Sequence, residues 1–216
     1  MVYYIGELEQ TEDALFEQLL PYVSSERMAR IEKYRFRSDR IQSVLAFVLL
    51  RIALKLEYGC IKMPRLASLP TGKPYFADMP KIHFNLSHCK KGVACGISDQ
   101  PLGVDIQNYV PFKEKVAKRF MSEAELTAVK AGDADKMFTQ LWTVKESYGK
   151  CLGRGVCCDM PRVKTDNGVF ADGHLCQSYA LENFVISVCA EKELDLKRLC
   201  TPELPELCRM LETRYL

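Results

Sequence analysis

The sequence lacks any segment that would carry the chain into or across a membrane. Its longest uninterrupted apolar run, Val44 to Leu50, has seven residues, whereas a helix that spans a bilayer needs roughly 20. The start of the chain, Met1 to Gln10, also lacks the basic stretch followed by an apolar stretch that is typical of a secretory leader. We therefore expect a cytoplasmic protein with no membrane partner.

A metal or disulfide framework is also missing, although the chain has ten cysteines. No two cysteines are separated by two residues. Cys157 and Cys158 are adjacent, which leaves no loop between two thiolates that would share a zinc ion. We expect most of the cysteines to be small, reduced hydrophobic side chains in a cytoplasmic protein.

An excess of charge of either sign is absent as well. Thirty Lys and Arg residues face 28 Asp and Glu residues, which gives a net charge of +2. With this balance, the net charge gives no reason to predict nucleic-acid binding. Any electrostatic function must therefore come from a local group of charges. The sequence has neither a P-loop nor a GxGxxG fingerprint, which disfavours the ordinary ATP and dinucleotide folds. What remains, with 216 residues of which 48% are hydrophobic, is typical of a folded enzyme.

Two long helical patterns dominate the chain. One predicts a helix from Ser38 to about Tyr58, ended by Gly59, and the other a helix from Lys136 to Leu152, ended by Gly153. Each half of the chain also holds about three strand-like runs: Val2 to Ile5, His83 to Ser87 and Gly92 to Ile97 in the first half, and Leu102 to Ile106, Ser178 to Leu181 and Phe184 to Cys189 in the second.

These patterns predict an α+β fold made of a pseudo-twofold pair of similar halves, residues 1–101 and 102–216, each a long helix packed on a small antiparallel sheet. Shorter signals add detail to this expectation. They are a His88-Cys-Lys-Lys91 turn, a short helix over Lys113 to Phe120, a capping box of Ser122 and Glu125, a turn at Asn167-Gly168 and a C-terminal helix over Pro202 to Thr213.

The second long helix carries the first candidate residues. Glu146 and Lys150 point away from its apolar stripe at a spacing of four residues. The ordinary interpretation is a solvated pair that stabilises the helix. Trp142, the only tryptophan of the chain, lies towards the same side and favours a second surface that covers it.

Asp105 is the second candidate, because it interrupts an apolar strand. The alternation of a strand places Asp105 and Gln107 on one face. A buried carboxylate needs a partner or a metal ion, so two interpretations stay open. Asp105 pairs with a nearby lysine, or it joins Glu146 as the hard oxygen ligands that suit Mg²⁺.

Phosphate-binding residues are the third kind of candidate. Ser87 and His88 lie at a strand end beside Lys90 and Lys91, and a rigid loop offers Lys73 before Pro74. A basic cluster, whose arginines would suit a polyphosphate ligand, consists of Arg27, Arg30, Lys33, Arg35, Arg37 and Arg40. A structural histidine and a mixed-charge surface are the competing interpretations.

Five segments and a following Gly-Arg-Gly carry these candidates in order: Gly72-Lys-Pro-Tyr-Phe76, Phe84-Asn-Leu-Ser-His88, Gly103-Val-Asp-Ile-Gln107, Arg119-Phe-Met-Ser-Glu-Ala-Glu125, Trp142-Thr-Val-Lys-Glu-Ser-Tyr-Gly-Lys150 and Gly153-Arg-Gly155. Together they resemble the Sfp-type 4′-phosphopantetheinyl transferases over roughly residues 20 to 190. The resemblance implies two α+β halves with coenzyme A in the cleft between them. It implies an enzyme that moves the phosphopantetheine arm of coenzyme A onto a serine of an apo acyl or peptidyl carrier protein and releases adenosine 3′,5′-bisphosphate.

The resemblance also implies roles for single residues. Mg²⁺ would be held by Asp105 and Glu146, with Gln107 at a third position where many relatives have Glu. Glu146, or a water beside it, would accept the proton of the serine. Lys150 would meet the charge of the pyrophosphate and help the bisphosphate to leave. We expect His88 among the catalytic residues too, and Mg²⁺ to be held less tightly than by three carboxylates.

The same resemblance implies a set of coenzyme A contacts: Arg27, Arg30, Lys73, Pro74, Ser87, His88, Lys145 and Lys150. Lys73 and Pro74 would frame the adenine, and the ribose 3′-phosphate or nearby oxygens would be held by Ser87, His88, Arg27 and Arg30. Glu125 matches a further acid near the site. Gln42 replaces a basic residue that some relatives have, which affects coenzyme A affinity.

Two other classes of function stay open on the residues alone. A different Mg²⁺-dependent phosphotransferase or pyrophosphohydrolase would use the same acids and lysine, and a non-catalytic module would use the basic cluster to bind an acidic helix. We expect a monomer, because two similar halves complete a site within one chain. Carriers of fatty-acid, polyketide and peptide synthesis are equally compatible with the sequence.

Overall fold

Two small sheets, each packed against one long helix, form the body of the protein. The computed structural model describes residues 1–11, 13–154, 163, 165–166, 168–193 and 199–212. Of the residues named above, Gly155, Cys157, Cys158, Asn167 and Thr213 lie outside the described residues. In the described part of the chain, no helix has the length and apolar character needed to cross a membrane.

The strands are β1 Val2–Gly6, β2 Leu66–Ser68, β3 Pro74–Phe76, β4 His83–Cys89, β5 Gly92–Ser98, β6 Leu102–Asn108, β7 Thr165–Asp166, β8 Val169–Phe170, β9 Leu175–Ala180, β10 Phe184–Ala190 and β11 Leu199–Cys200. The helices are α1 Asp13–Leu19, α2 Ser25–Ile31, α3 Arg37–Tyr58, α4 Glu114–Ala117, α5 Glu123–Ala131, α6 Ala134–Cys151 and α7 Leu207–Glu212. Short 3-10 turns lie at Leu8–Gln10, Leu20–Tyr22 and Leu204–Glu206.

The two main sheets repeat one topology. Their strand orders are β11-β1-β5-β4 and β6-β10-β9-β8-β7. Each half opens with a strand, β1 or β6, and continues with the long helix, α3 or α6. It then forms a hairpin whose second strand pairs antiparallel with the opening strand. This arrangement confirms the predicted α+β pair of similar halves.

The long helices begin and end close to the predicted positions. Gly59 ends α3 with a φ of 64°, in the left-handed region that glycine adopts without strain. α6 begins two residues before the prediction, because the side chain of Asp133 accepts a hydrogen bond from Lys136 N and caps the helix. The capping box is also confirmed, since Ser122 and Glu125 each accept a hydrogen bond from the other's backbone N–H.

The two sheets meet along the edge strands β4 and β6, through side chains of β4. Asn85 Oδ1 accepts a hydrogen bond from Val104 N at 2.9 Å, and Ser87 Oγ accepts one from Ile106 N at 3.3 Å. These side chains accept hydrogen bonds from backbone N–H groups of β6 that would otherwise need a neighbouring strand as their partner. The polar residues of β4 therefore lie at the boundary between the two sheets.

The C-terminal segment returns to the first half of the chain. β11 pairs in parallel with β1, and Leu207 and Leu211 of α7 belong to the same core as α3. Lys55 of α3 donates to the backbone oxygens of Met210 at 2.6 Å and Leu211 at 3.0 Å. The C-terminal helix starts later than predicted because proline is tolerated only in the first turn of a helix, and Pro205 lies in the preceding 3-10 turn.

Two local predictions are wrong. His88 and Cys89 belong to β4, whose ladder with β5 continues to Cys89, so the turn consists of Lys90 and Lys91 alone. The helix predicted from Lys113 to Phe120 is limited to α4, because Phe120 turns into an aromatic cluster with Phe138 and Trp142. Of the eight described cysteines, four are buried (Cys89, Cys95, Cys151 and Cys189) and four are half-buried (Cys60, Cys176, Cys200 and Cys208). Their reduced state stays a prediction.

Candidate active site

Helix α6 lies directly on strand β6 because Gly103 has no side chain. A Cβ atom at Gly103 would lie 2.0 Å from the carbonyl oxygen of Ser147 and 2.3 Å from the backbone nitrogen of Cys151. No side chain fits in that space. The close approach brings Glu146 and Lys150, which flank Ser147 on α6, over the strand that carries Asp105.

Lys150, Asp105 and Ser87 form one hydrogen-bonded group at the boundary between the sheets. Lys150 Nζ donates to Asp105 Oδ1 at 2.6 Å and to Ser87 Oγ at 2.8 Å. Ser87 Oγ lies 2.8 Å from Asp105 Oδ1 and donates its only proton to it. The side chain of Asp105 is 8% exposed and that of Lys150 is 25% exposed. One interpretation of Asp105 required a nearby lysine as its partner. That partner is present, and it is Lys150, which is itself a predicted site residue.

Glu146 faces the same group. Burial, and then the negative charge of Asp105, raises the pKa of Glu146 above its usual value, while Lys150 opposes the shift. A carboxylate whose pKa is raised by a second carboxylate nearby is one whose charged form a bound cation would stabilise. Within the described ranges, no cluster of three or more His, Cys, Asp or Glu side chains could hold a metal ion. A hard cation here would have two carboxylates, with the half-buried Gln107 two positions along β6.

Arg27 and Ser43 form a second polar group in the first half. The guanidinium of Arg27 lies over the ring of Phe47, 5.9 Å from its centre, and donates from Nη2 to the backbone oxygen of Ser43 at 3.5 Å. Among the described residues, the buried Arg27 Nε and Ser43 Oγ have no hydrogen-bond partner. Burial, and then the charge of Arg30, lowers the pKa of Arg27. Unsatisfied buried donors beside a guanidinium favour an anionic ligand.

The sequence prediction missed Ser43. It directly precedes the apolar run of α3, where a small polar residue gives no periodic signal. The available clue was that a serine on the buried face of a helix needs a partner.

His88 interacts electrostatically with both groups. Its side chain is exposed near the end of β4. Partial burial, then the positive charges of Lys150 and Arg27, lowers the pKa of His88, and Asp39 and Asp105 oppose this shift. The imidazole is therefore mainly neutral near pH 7 and lies within electrostatic reach of both groups.

Lys73 and Pro74 lie at the C-terminal end of α6, which also carries Lys150. Lys73 Nζ donates to the backbone oxygens of Cys151 at 2.8 Å and Leu102 at 3.1 Å, and burial lowers the pKa of Lys73. A cavity of about 290 Å³ adjoins Lys73 and Pro74, and Leu152 also lines it. In the structure Lys73 thus fixes the end of α6, and its adenine contact stays a prediction.

Lys145 and Glu125 form a separate pair. Lys145 is 2% exposed, and its Nζ donates to Glu125 Oε2 at 2.8 Å and to the backbone oxygen of Phe120 at 2.7 Å. Burial lowers the pKa of Lys145, although Glu125 opposes the shift. The structure does not bring this pair into the group around Asp105, so the predicted coenzyme A contact of Lys145 stays a prediction.

A larger groove of about 860 Å³ lies elsewhere, and Tyr4, Leu15, Phe184 and Pro202 are among its lining residues. None of the predicted site residues lines this groove. The chemistry is concentrated instead at the boundary between β4, β6 and α6.

Comparison with known proteins gives a consistent result. The family model of the 4′-phosphopantetheinyl transferase superfamily matches residues 101–201. The chain is 32% identical over 159 residues to 4′-phosphopantetheinyl transferase Sfp of Bacillus subtilis (strain 168), with 72% of this chain and 70% of the relative covered. It is 29% identical to another 4′-phosphopantetheinyl transferase of Bacillus subtilis, with 81% and 84% covered. For 4′-phosphopantetheinyl transferase psf-1 of Bacillus pumilus the identity is 34%, with 65% and 62% covered. The chain belongs to the 4′-phosphopantetheinyl transferase superfamily, as an enzyme of the Sfp type.

Proposed function

We propose that this enzyme transfers the 4′-phosphopantetheine arm of coenzyme A to a serine of an apo acyl or peptidyl carrier protein, at the site formed by Asp105, Glu146 and Lys150. The observation that carries this assignment is the group of Lys150, Asp105 and Ser87, with Glu146 facing it. It places two acids and a cation together where the two halves of the fold meet.

A magnesium ion fits these residues. Asp105 and Glu146 would hold it, with the amide oxygen of Gln107 as a weaker third ligand, and their hard oxygens are the donors that Mg²⁺ prefers. When bound, the ion supplies positive charge to the pyrophosphate of coenzyme A.

The reaction itself requires positioning and proton transfer from the protein. The serine oxygen of the carrier bonds to the phosphorus that bears the pantetheine arm, and the bond from that phosphorus to the bridging oxygen breaks. Glu146 accepts the hydroxyl proton, a task that its raised pKa favours. Lys150 donates hydrogen bonds to the departing adenosine 3′,5′-bisphosphate, whose negative charge increases as the bond breaks.

The group of Arg27 and Ser43 is suited to the 3′-phosphate of coenzyme A. Its unsatisfied donors, Arg27 Nε and Ser43 Oγ, would bind phosphate oxygens. His88 lies within electrostatic reach of Arg27 and Lys150. It would therefore lie between the 3′-phosphate and the pyrophosphate of bound coenzyme A. Arg30, at the end of α2, adds positive charge to this side of the cleft.

We further propose a cytoplasmic monomer. The buried thiols suit a reducing compartment, and one chain supplies every residue of the group around Asp105.

The intact mass of an apo carrier protein tests the proposed function. Carriers from fatty-acid and peptide synthases are incubated with the enzyme, coenzyme A and Mg²⁺, with EDTA in a parallel sample. We expect the mass to increase by one phosphopantetheine group, and only without EDTA. Consumption of coenzyme A without any gain in carrier mass would favour a pyrophosphohydrolase. Binding of the carrier with no chemistry would favour a non-catalytic module.

A further inference from the structure

A chain of hydroxyl groups joins α6 to the strands beneath it, next to Asp105. Ser187 of β10 is fully buried, and it is the cross-strand partner of Asp105 on one side and of Ser178 on the other. Directly opposed residues of an antiparallel pair have their side chains on the same face of the sheet. Asp105, Ser187 and Ser178 therefore form one polar row across three strands.

The hydrogen bonds of this chain have a single direction. Thr143 Oγ1 donates its only proton to the backbone oxygen of Gln140 at 2.9 Å. Ser187 Oγ, 2.7 Å from Thr143 Oγ1, must then be the donor of that contact. Ser178 Oγ, at 2.8 Å, donates in turn to Ser187. Each proton has one acceptor, so α6 cannot shift against β10 without breaking a buried hydrogen bond.

This connection determines where Glu146 lies. Thr143 precedes Glu146 by three residues, so the two side chains are neighbours on α6. The other close contact, of Gly103 with the backbone of α6, is purely steric. The Gly103 contact limits how closely α6 approaches the sheet, but it does not fix where α6 lies along the strands. The directional hydrogen bond from Ser187 to Thr143 fixes that position, and Ser187 is the residue of β10 that is paired with Asp105.

We propose that Ser187, acting through Thr143, is a positioning residue that sets the placement of Glu146 against Asp105 and thereby the affinity of these two carboxylates for a divalent cation. This inference rests on the proposed function, because it takes Asp105 and Glu146 as the cation site. Ser187 touches neither carboxylate in the chain of bonds described. It supports the placement of the metal ligands without binding the metal itself. Loss of such a supporting residue typically weakens metal binding about 10- to 100-fold.

Binding of Mn²⁺ to the whole protein, measured by electron paramagnetic resonance without coenzyme A, tests this inference. We expect Ser187→Ala and Thr143→Val each to raise the Kd for Mn²⁺ about tenfold. Thr143→Ser keeps the hydroxyl and should stay within about twofold of the wild type. Because the two residues share one bond, the double variant should be no weaker than either single variant.

Ser147→Ala is the matched control. Ser147 is equally buried on the same helix, but its hydroxyl donates to the backbone oxygen of Val144 in its own helix at 2.8 Å, and its one contact with the sheet is to the thiol of Cys176 at 3.5 Å, a weak hydrogen-bonding group. This variant should keep the wild-type Kd. An unchanged Kd in folded Ser187→Ala, or an equal loss in Ser147→Ala, would overturn the inference. If Ser187→Ala does not fold, the comparison of Thr143→Val with Thr143→Ser decides the matter in the same way.

The wild type and Asp105→Ala separate this inference from the proposed function. A wild type that binds Mn²⁺ through Asp105, with no effect of Ser187→Ala, would overturn the inference alone. A wild type without Mn²⁺ binding, or one whose binding survives Asp105→Ala, would overturn the cation site and the inference with it.

Discussion

Lys150 Nζ lies 2.6 Å from Asp105 Oδ1 and 2.8 Å from Ser87 Oγ, so one ammonium group connects α6 to the edge strands of both sheets. Asp105 is almost completely buried. Without Lys150 its charge would lack an ionic partner, a situation that costs several kcal/mol. Lys150 therefore stabilises the boundary between the halves as well as serving the proposed transfer.

Replacement of this lysine separates the two roles. We expect Lys150→Met to reduce the transfer rate about 10²- to 10³-fold and to lower the free energy of unfolding by about 3 kcal/mol. Adding Asp105→Asn should restore most of the stability and none of the activity. Carrier mass and urea unfolding measure the two quantities. A Lys150→Met protein with the wild-type transfer rate would remove Lys150 from the mechanism.

The 3′-phosphate assignment predicts a selective loss at Arg27. We expect Arg27→Gln to weaken binding of coenzyme A about 10- to 100-fold, the worth of a charge-assisted hydrogen bond. Dephospho-coenzyme A, which lacks the 3′-phosphate, should bind the variant and the wild type equally. Calorimetry measures both affinities. Arg65→Gln, at an exposed arginine outside both the basic cluster and the assigned site, is the control. Equal losses for the two ligands would contradict the assignment.

The lowered pKa of His88 predicts proton uptake on ligand binding. In the free protein, burial and the charges of Lys150 and Arg27 hold the pKa of His88 below 6.5, so protonation disfavours the folded state and stability falls as the pH decreases through this range. A bound phosphate would reverse the sign of the local charge and raise this pKa. Histidine NMR titrations with and without adenosine 3′,5′-bisphosphate test the shift, with the His174 signal as an internal control. A His88 titration that the ligand leaves unchanged would place the anion elsewhere.

The contact between α6 and β6 predicts a severe effect of Gly103→Ala. The added Cβ meets the backbone of Ser147 at 2.0 Å, and backbone cannot move aside cheaply. We expect a loss of about 3 kcal/mol in the free energy of unfolding, measured with urea. The control is Gly132→Ala, whose Cβ meets only the flexible Met137 side chain, at 2.5 Å. Equal stability of the two variants would show that the helix does not rest on this glycine.

The sequence predicted the elements of the site better than their partners. Spacing alone suggests that Lys150 pairs with Glu146, four residues before it. In the structure Lys150 pairs with Asp105, which is 45 residues away. A helical pattern reports which residues share a face, but the partner of that face depends on which strand lies beneath it. Trp142 suggested that a second surface covers its side of α6, and this expectation is confirmed. The ring of Trp142 packs edge-on against the ring of Phe120, with 4.4 Å between the ring centres.

Residues buried for tertiary reasons escaped prediction. Lys145 is a coenzyme A contact by resemblance, yet in the structure it is buried against Glu125. Ser43 precedes an apolar run and Ser187 interrupts one, and neither gives a periodic signal. They matter only because Arg27 and Thr143 lie beside them in the folded chain. Hydrophobic periodicity records which faces are buried, and it does not record which polar atoms meet there.

Glu146 is the residue on which the account depends most. The direct measurement is the rate at which an apo carrier gains phosphopantetheine mass with the wild type, Glu146→Gln and, as a control, Glu193→Gln, which changes an exposed glutamate after β10. We predict a loss of about 10²-fold or more for Glu146→Gln, and a wild-type rate for Glu193→Gln. A folded Glu146→Gln enzyme that transfers phosphopantetheine at the wild-type rate would contradict the proposed site.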